Sequence, residues 1–253
     1  MNLDYVGNGK VILISGGGKS YTDMAAKFCR SEDTLEGIIG SDYDKNLVKS
    51  IINSSHLAAT EFDYFIFGVE GYSRVTEVQL VRKRLASYLI KTGTTDKKGN
   101  RGYDIVLPKS LKEKEIMFQY GSNLYNTFDL LKMLEIWYNR AIGQGISEGD
   151  ARYIKPQGTE FKAIIGMNAH ALLDWFKIRC CLNAQAEIRD MANKMLTLCR
   201  ESCPELFEKA GSNCKVLGYC PENKYQNKQC IGKIMKHSDV LNLIKNNPLK
   251  LDK

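Results

Sequence analysis

The hydrophobic pattern of the chain predicts short strands in its first half. Residues 10–15 (KVILIS) and 64–69 (YFIFGV) are short apolar runs rich in β-branched and aromatic side chains, which is typical of strands. A further strand is predicted at residues 103–107, where Pro108 ends the run because it has no backbone N–H to offer a sheet. Residues 93–102 (GTTDKKGNRG) are polar and glycine-rich, so they are predicted to form a loop.

Helices are predicted where apolar residues recur every three or four positions. The predicted helices cover residues 23–29, 44–53, 74–84, 111–142 and 168–207. In the third of these, the apolar positions are Val75, Val78 and Val81. The pattern becomes irregular after Gly211, with one short helix near residues 239–245. The chain is therefore predicted to have a mixed α/β (α+β) fold with more helix than strand.

Composition and charge narrow the class of protein. The 253 residues are 43% hydrophobic and 26% charged, which is ordinary for a globular protein with one main core. No apolar run approaches the roughly 20 residues of a membrane helix, and the N-terminus has no secretory pattern, so a cytoplasmic location is expected. The net charge of +7 attracts anions. Because the basic residues are dispersed, they favour small anionic ligands, and no nucleic-acid partner is expected.

The cysteines do not predict a metal site. The chain has 8 of them, and in the cytoplasm they are expected to be reduced thiols. Cys214, Cys220 and Cys230 cluster near the C-terminus, with His237 beyond them. There is no CxxC pair, and the spacings match no common set of zinc ligands.

A glycine-rich segment near the N-terminus looks at first like a phosphate-binding loop. Residues 15–20 read SGGGKS, but the P-loop requires a glycine where this chain has Leu13. That glycine opens the wide turn around the phosphates, so a glycine-rich turn after a strand is predicted and an ATPase is not.

Three consecutive cations are a candidate anion site. Arg82, Lys83 and Arg84 repel one another unless an anion neutralises them, and a turn of small residues follows. The alternative is a solvated helix end, where cations interact favourably with the helix dipole. The spacing alone does not separate the two interpretations.

The helix predicted over residues 168–207 has one face that mixes apolar and polar side chains. At about 100° per residue, one face would contain Asn168, Leu172, Trp175, Arg179 and Asn183. An arginine among apolar residues needs an anion or an acceptor, because burying an unpaired charge is costly. Either an internal carboxylate or a bound ligand would meet that need.

Two segments resemble the flavin-dependent thymidylate synthase (ThyX) family. In residues 54–93, SSHLAATEF resembles SGH-x4-EH, EGYSRVTEVQLV resembles the EG-x-SR…QLVR run, and the three cations with Thr92 resemble Arg-His-Arg, seven residues, then Ser. In residues 150–189, the order ARY, MNAH, LLDWFKIR and AQAEIR resembles ARY-x-LP, MNAR-x-LLHF-x-x-LR and AQWEIR. The resemblance spans roughly residues 10–210.

The resemblance implies both a fold and an assembly. The expected fold is ThyX-like, with a small, mostly antiparallel sheet flanked by long helices. Residues 1–210 would form the catalytic domain, and residues 211–253 an irregular, cysteine-containing extension. Family members are homotetramers with shared active sites, so a homotetramer is expected.

The resemblance also implies a methyltransferase reaction with defined ligands. Uracil of dUMP would be reductively methylated to dTMP, with FAD as cofactor and with NADPH and methylenetetrahydrofolate as co-substrates. Arg179 would be the catalytic residue that holds the uracil carbonyls. The residues implied to bind dUMP are Gln79, Thr92, Gly93, Arg152 and Arg179. Those implied to bind FAD or folate are His56, Glu61, Arg82, Lys83, Arg84, Asn168, His170 and Asn183.

Departures from the family pattern leave two alternatives open. Leu89, Ile90, Asp174 and Asn183 replace residues that are usual in the family. The scaffold would then act on another pyrimidine nucleotide, such as UMP or dCMP, or would bind nucleotides without catalysis.

Overall fold

The computed structural model describes residues 3–91, 103–222 and 228–246. Two compact units can be separated: residues 1–14 with 66–166, and residues 15–65 with 167–253. Within the described residues, no helix has the length and apolar character needed to cross a bilayer. The loop predicted over residues 93–102 lies outside the described residues.

The strands form small sheets in which most of the predicted runs take part. The strands are β1 (Leu3–Tyr5), β2 (Lys10–Ser15), β3 (Tyr64–Ser73), β4 (Ser87–Ile90), β5 (Ile105–Leu107), β6 (Met117–Tyr120), β7 (Asn123–Asn126) and β8 (Glu160–Asn168). A four-stranded sheet has the order β2-β3-β8-β4, and β4 runs antiparallel to β8. β1 pairs in parallel with β5, and β6 pairs antiparallel with β7.

The helices include several that were predicted from periodicity. They are α1 (Thr22–Arg30), α2 (Leu35–Ile39), α3 (Lys45–Asn53), α4 (Arg74–Leu80), α5 (Lys109–Glu113), α6 (Thr127–Gly143), α7 (Glu148–Ala151), α8 (Ala169–Arg179), α9 (Ala186–Ser202), α10 (Pro204–Phe207), α11 (Asn213–Leu217) and α12 (His237–Asn246). The expected mixed class, with a small, mostly antiparallel sheet and long helices, is confirmed.

The first unit has an aromatic and aliphatic core beside its helix α6. Tyr103 and Tyr138 meet edge to face, with ring centroids 5.6 Å apart, and both are buried. Ile105 of β5 and Leu131 of α6 belong to the same cluster.

In the four-stranded sheet, Lys162 of β8 donates to the Glu70 carboxylate of the neighbouring strand β3 at 2.8 Å.

The long helix predicted over residues 111–142 is wrong in its first half. Residues 117–126 form the β6–β7 hairpin, in which Gly121 adopts a left-handed φ of 60° that favours glycine. Asn126 then starts α6 with a capping box, because its side chain accepts from the Asp129 N–H while the Asp129 carboxylate accepts from the Asn126 N–H. The turn at Gly121 and the cap at Asn126 therefore divide the segment that its periodicity predicted to be one helix.

The second unit packs its helices around three aromatic rings. Phe65 and Phe207 meet edge to face with centroids 5.2 Å apart, and Phe176 lies 6.2 Å from Phe207. Each of these side chains is at most 1% exposed. Helix α9 adds fully buried Met191 and Met195, whose flexible side chains fill irregular space.

The helix predicted over residues 168–207 is interrupted between α8 and α9. Gln185 caps the start of α9, since its side-chain oxygen accepts from the backbone N–H groups of Glu187 and Ile188. Arg189 donates to the carbonyl oxygens of Leu182 and Ala184 at 2.9 and 3.0 Å. These bonds hold residues 180–185 as a turn.

The glycine-rich segment after β2 is a turn, as predicted. Gly17 and Gly18 both have left-handed φ angles, 89° and 79°. A Cβ at Gly17 would lie 2.4 Å from the Ser202 Cβ, whereas one at Gly18 would meet no atom within 4 Å. Both positions therefore require a positive φ, but only at Gly17 would an added side chain clash with a neighbouring residue.

This difference gives a paired stability prediction. Both Gly17→Ala and Gly18→Ala should be destabilising because alanine disfavours a positive φ, by about 1 kcal/mol. Gly17→Ala should cost about 2 kcal/mol more, because Ser202 must move. Urea unfolding followed by circular dichroism measures both, and equal losses for the two variants would refute the packing contribution.

Candidate functional site

The three consecutive cations follow a helix instead of lying in it. Helix α4 ends at Leu80, so the helix predicted over residues 74–84 is four residues too long. The Tyr88 hydroxyl lies 2.9 Å from the carbonyl oxygen of Leu80 and 3.0 Å from that of Lys83. Tyr88 thus satisfies the carbonyl end of the helix and holds the turn that carries Arg82, Lys83 and Arg84.

The side chains of this turn face water. Arg82 and Arg84 are exposed, and Lys83 is half-buried. Within the described residues, neither arginine has an ion-pair partner, whereas Arg74 at the start of α4 lies 3.5 Å from the Glu77 carboxylate. Two guanidinium groups are therefore available to an anion.

The three valines of the predicted helix, two in α4 and Val81 directly after it, do not form a core face. Val75, Val78 and Val81 are 38%, 47% and 42% exposed, while Thr76 and Leu80 are buried. The helical spacing was predicted correctly, but the opposite face of the helix packs inward.

Two residues of this unit that are expected to bind dUMP, Gln79 and Arg152, lie on different helices. Gln79 lies half-buried in the last turn of α4, and Arg152 is exposed in a short 3-10 helix that follows α7. Thr92 and Gly93 lie outside the described residues.

In the second unit, the buried carboxylate of Asp63 joins three chain segments. It accepts hydrogen bonds from the hydroxyls of Ser20 and Thr22 at 2.5 Å each. It also accepts from the backbone N–H groups of Tyr21 and Thr22 at 2.7 and 3.2 Å. The carbonyl oxygen of Asp63 accepts from the Ala169 N–H at 2.7 Å. Asp63 therefore fixes the starts of both α1 and α8.

Asp63 also explains why the SGGGKS segment holds no phosphate-loop geometry. The first N–H groups of a helix attract anions, and here the anion is an internal carboxylate. This role was not predicted, because Asp63 lies more than 40 positions along the chain from its partners.

Several residues expected to bind FAD or folate lie near Asp63 in the chain or near Ala169, which donates to the Asp63 carbonyl oxygen. The Glu61 Oε1 lies 3.1 Å from the His170 Nδ1, within hydrogen-bond distance. Asn168 caps α8 by accepting from the Ala171 N–H at 2.8 Å. His56 is exposed, and its Nδ1 lies 3.3 Å from the Arg30 guanidinium, so this nitrogen accepts and the ring proton is on Nε2. Arg30 was not predicted as a site residue.

Arg179 and Asn183 do not share a helical stripe. Helix α8 ends at Arg179, and Asn183 is exposed in the turn that follows, so the predicted stripe is wrong at that position. Leu172 and Trp175 are buried as core residues. Arg179 is half-buried at the C-terminal end of the helix, where a cation interacts well with the dipole.

Arg179 and Asn183 nevertheless line one cleft of about 430 Å³. Lys177 and Ser212 also contribute to its wall. A volume of this size is in the range of small-molecule sites. Cys180 lies there as well, but burial raises the pKa of its thiol to about 12, which disfavours a nucleophilic thiolate. Among the described residues, no group of three or more His, Cys, Asp or Glu side chains is placed to hold a metal ion.

Comparison with known proteins identifies relatives over most of the chain. A family model described as "Thymidylate synthase complementing protein" matches residues 11–205. A flavin-dependent thymidylate synthase from Nitratidesulfovibrio vulgaris is 36% identical over 195 residues, which are 75% of this chain and 78% of that protein. Another from Sulfolobus acidocaldarius is 33% identical over 210 residues, 81% of this chain and 77% of that protein.

A solved structure shares the fold. The crystal structure of a UMP/dUMP methylase, PolB from Streptomyces cacaoi bound with 5-Br dUMP, matches with a TM-score of 0.65 and 18% identity. The match covers 82% of this chain and 96% of that chain.

The contacts of Asp63 lead to a stability prediction. Asp63→Ala should lower the free energy of unfolding by about 3 kcal/mol, because buried donors at residues 20–22 lose a charged acceptor. Asp33→Ala is the matched control, since Asp33 is exposed and its carboxylate accepts, among the described residues, from the Ser31 hydroxyl alone, so a change of about 0.5 kcal/mol or less is expected. Similar losses in both variants, measured by urea unfolding, would contradict the role given to Asp63.

Proposed function

The chain belongs to the flavin-dependent thymidylate synthase family, and from that premise we propose that it reductively methylates dUMP to dTMP. Methylenetetrahydrofolate is the proposed carbon donor, FAD the proposed cofactor and NADPH the proposed reductant. The observation that carries the proposal is the cleft beside Arg179, the arginine that the family resemblance assigns to the pyrimidine.

Arg179 has the chemistry needed to bind and activate uracil. Its guanidinium presents several N–H donors in one plane, which suits the neighbouring carbonyl oxygens of the ring. As C5 of the ring becomes nucleophilic, negative charge develops on these oxygens. A fixed cation stabilises that charge without reorganising solvent, and this is where rate acceleration arises.

Arg152 and Gln79 are the proposed ligands of the remainder of dUMP. Arg152 is exposed and permanently charged, so its fork of donors suits the 5′-phosphate. Gln79 offers both an amide donor and an acceptor, which suit the sugar hydroxyl. Thr92 and Gly93 are proposed to contact the same nucleotide.

The donor set of the chain fits a flavin dinucleotide. Arg82, Lys83 and Arg84 supply the positive charge that a diphosphate needs, and Asn168, His170 and Asn183 supply hydrogen-bonding groups. His56 is exposed, and Glu61 orients the His170 ring. When bound, FAD would supply the reducing power of the reaction, while these side chains bind and orient it.

We propose that four copies of the chain assemble and share their active sites. Helix α6 supports an assembly because it exposes a wide apolar surface: Phe128, Leu130, Met133, Ile136 and Trp137 are each at least 40% exposed. Such a surface favours burial against another protein. Light scattering measures the mass of the assembly.

One direct experiment tests the proposed reaction and its main alternative. The protein is incubated with FAD, methylenetetrahydrofolate and NADPH, and with dUMP, UMP or dCMP, and the products are identified by mass spectrometry. Formation of dTMP from dUMP supports the proposal. Methylation of UMP or dCMP in preference to dUMP would instead establish a different pyrimidine specificity, and a protein that binds no flavin and forms no product would refute catalysis.

The role of Arg179 gives a kinetic prediction. Arg179→Ala should lower kcat about 100-fold or more, as expected for removal of one donor to a developing negative charge. Lys49→Ala removes an exposed cation from α3 and should leave kcat unchanged. Folded Arg179→Ala protein with the wild-type rate would exclude Arg179 from the mechanism.

The cationic turn gives a binding prediction. Arg84→Ala should weaken FAD binding about tenfold, through the loss of a charge-assisted contact. Arg74→Ala is the control on the neighbouring helix, where the guanidinium already pairs with Glu77, and it should change the Kd little. Flavin fluorescence titration measures both, and an equal effect of the two substitutions would indicate general electrostatics instead of a site.

A further inference from the structure

The cleft beside Arg179 is lined by an unusual number of thiols. Its cysteines are Cys180, Cys181, Cys214, Cys220 and Cys230. The first two belong to the turn after α8, whereas the other three lie beyond residue 205, where the match to the family model ends. The cleft therefore brings thiols of the catalytic region and of the C-terminal extension together.

The cysteines of the chain differ in their surroundings. Burial raises the pKa of Cys180 and Cys203 to about 12 and also raises that of Cys199, so these thiols stay protonated and unreactive. Cys181, Cys214, Cys220 and Cys230 are, like Cys180, half-buried at the cleft. These four thiols are partly accessible to a small reagent.

Cys230 has the other three cleft thiols as electrostatic neighbours. Partial burial raises its pKa, and negative charge on Cys181, Cys214 and Cys220 raises it further. Among these three, the largest effect comes from Cys181. Cys181 of the turn and Cys230 of the extension both line this cleft, so a bond between them would connect the turn to the extension.

The described helices of the extension do not contribute to a buried core. Helices α11 and α12 and the short 3-10 helix at residues 228–230 contain no buried residue. Its visible ties include the backbone bond from Cys220 N–H to Met235 and the stacking of Tyr219 on His237, with centroids 5.4 Å apart. A small segment without a core is stabilised most effectively by a covalent cross-link.

We propose that Cys181 and Cys230 are a thiol-modification site that forms a reversible disulfide with a low-molecular-weight disulfide, such as oxidised glutathione, as oxidant. The Cys181 thiolate attacks one glutathione sulfur, and the glutathione S–S bond breaks to release one reduced glutathione. The Cys230 thiolate then attacks the mixed disulfide, forms the Cys181–Cys230 bond and releases the second glutathione. Two protein thiols are oxidised, one glutathione disulfide is reduced, and the two thiol protons end on the released glutathione.

The cross-link would change the environment of Arg179. Cys181 lies two residues after Arg179, and both the turn and the extension line the cleft. A bond from Cys181 to Cys230 would therefore link these two walls of the cleft beside Arg179. We expect oxidation to lower the turnover of dUMP at least fivefold and dithiothreitol to restore it. This consequence rests on the proposed function, whereas formation of the bond does not.

The experiment follows both the bond and its effect in the full-length protein. Wild type, Cys181→Ser, Cys230→Ser and the control Cys29→Ser, which removes an exposed cysteine away from the cleft, are equilibrated with defined ratios of reduced and oxidised glutathione. Peptide mapping without reduction identifies linked cysteines, and hydrogen exchange reports on residues 213–217 and 237–246. Turnover is measured in parallel, before and after dithiothreitol.

The proposal expects a Cys181–Cys230 peptide and slower exchange in wild type and Cys29→Ser, with neither in the other two variants. Three outcomes would overturn the proposal: glutathione that remains attached to separate cysteines, a disulfide between other cysteines, or a Cys181–Cys230 disulfide without slower exchange. Protein that retains zinc and oxidises only after chelation would also overturn it, because the thiols would then serve a metal. Bond formation with unchanged turnover would refute the effect on Arg179, and absence of turnover in reduced protein would count against the proposed function alone.

Discussion

The arrangement of the second unit depends on the carboxylate of Asp63. It neutralises the electropositive start of α1, and its own backbone carbonyl receives the first N–H of α8. Glu61 and Asn168 stand beside these contacts in the chain, so the positions of two proposed cofactor ligands are set by a residue that binds no ligand itself. An ionised group inside a protein is costly unless every acceptor position is used, and here several donors converge on it.

The sequence predicted those features that depend on neighbouring residues. The β-branched run at residues 10–15 became β2, and the helical spacing before residue 53 became α3, because local side-chain patterns decide such elements. The pattern failed where a single turn or cap divides a periodic segment. Gly121 and Asn126 separate a hairpin from α6, and Gln185 starts a new helix after Arg179. Periodicity carries no information about such interruptions.

The candidate site was predictable only in part, and for a different reason. The charge at Arg82–Arg84 and the mixed polarity around Arg179 are visible in the sequence, but their use as ligand contacts came from the family resemblance. The Asp63 contacts and the grouping of thiols around one cleft join residues that are far apart in the chain. Only the folded chain reveals such groupings, because neither spacing nor composition encodes them.

In the proposed assembly, the apolar face of α6 would tie the stability of the protein to its concentration. Side chains such as Phe128, Ile136 and Trp137 keep an unfavourable contact with water whenever the chain is alone. Association would remove that contact, so mass action would make the measured melting temperature rise with the amount of protein in the sample. Dilution would then act as a mild denaturant, and thermal data would be comparable only at matched concentrations.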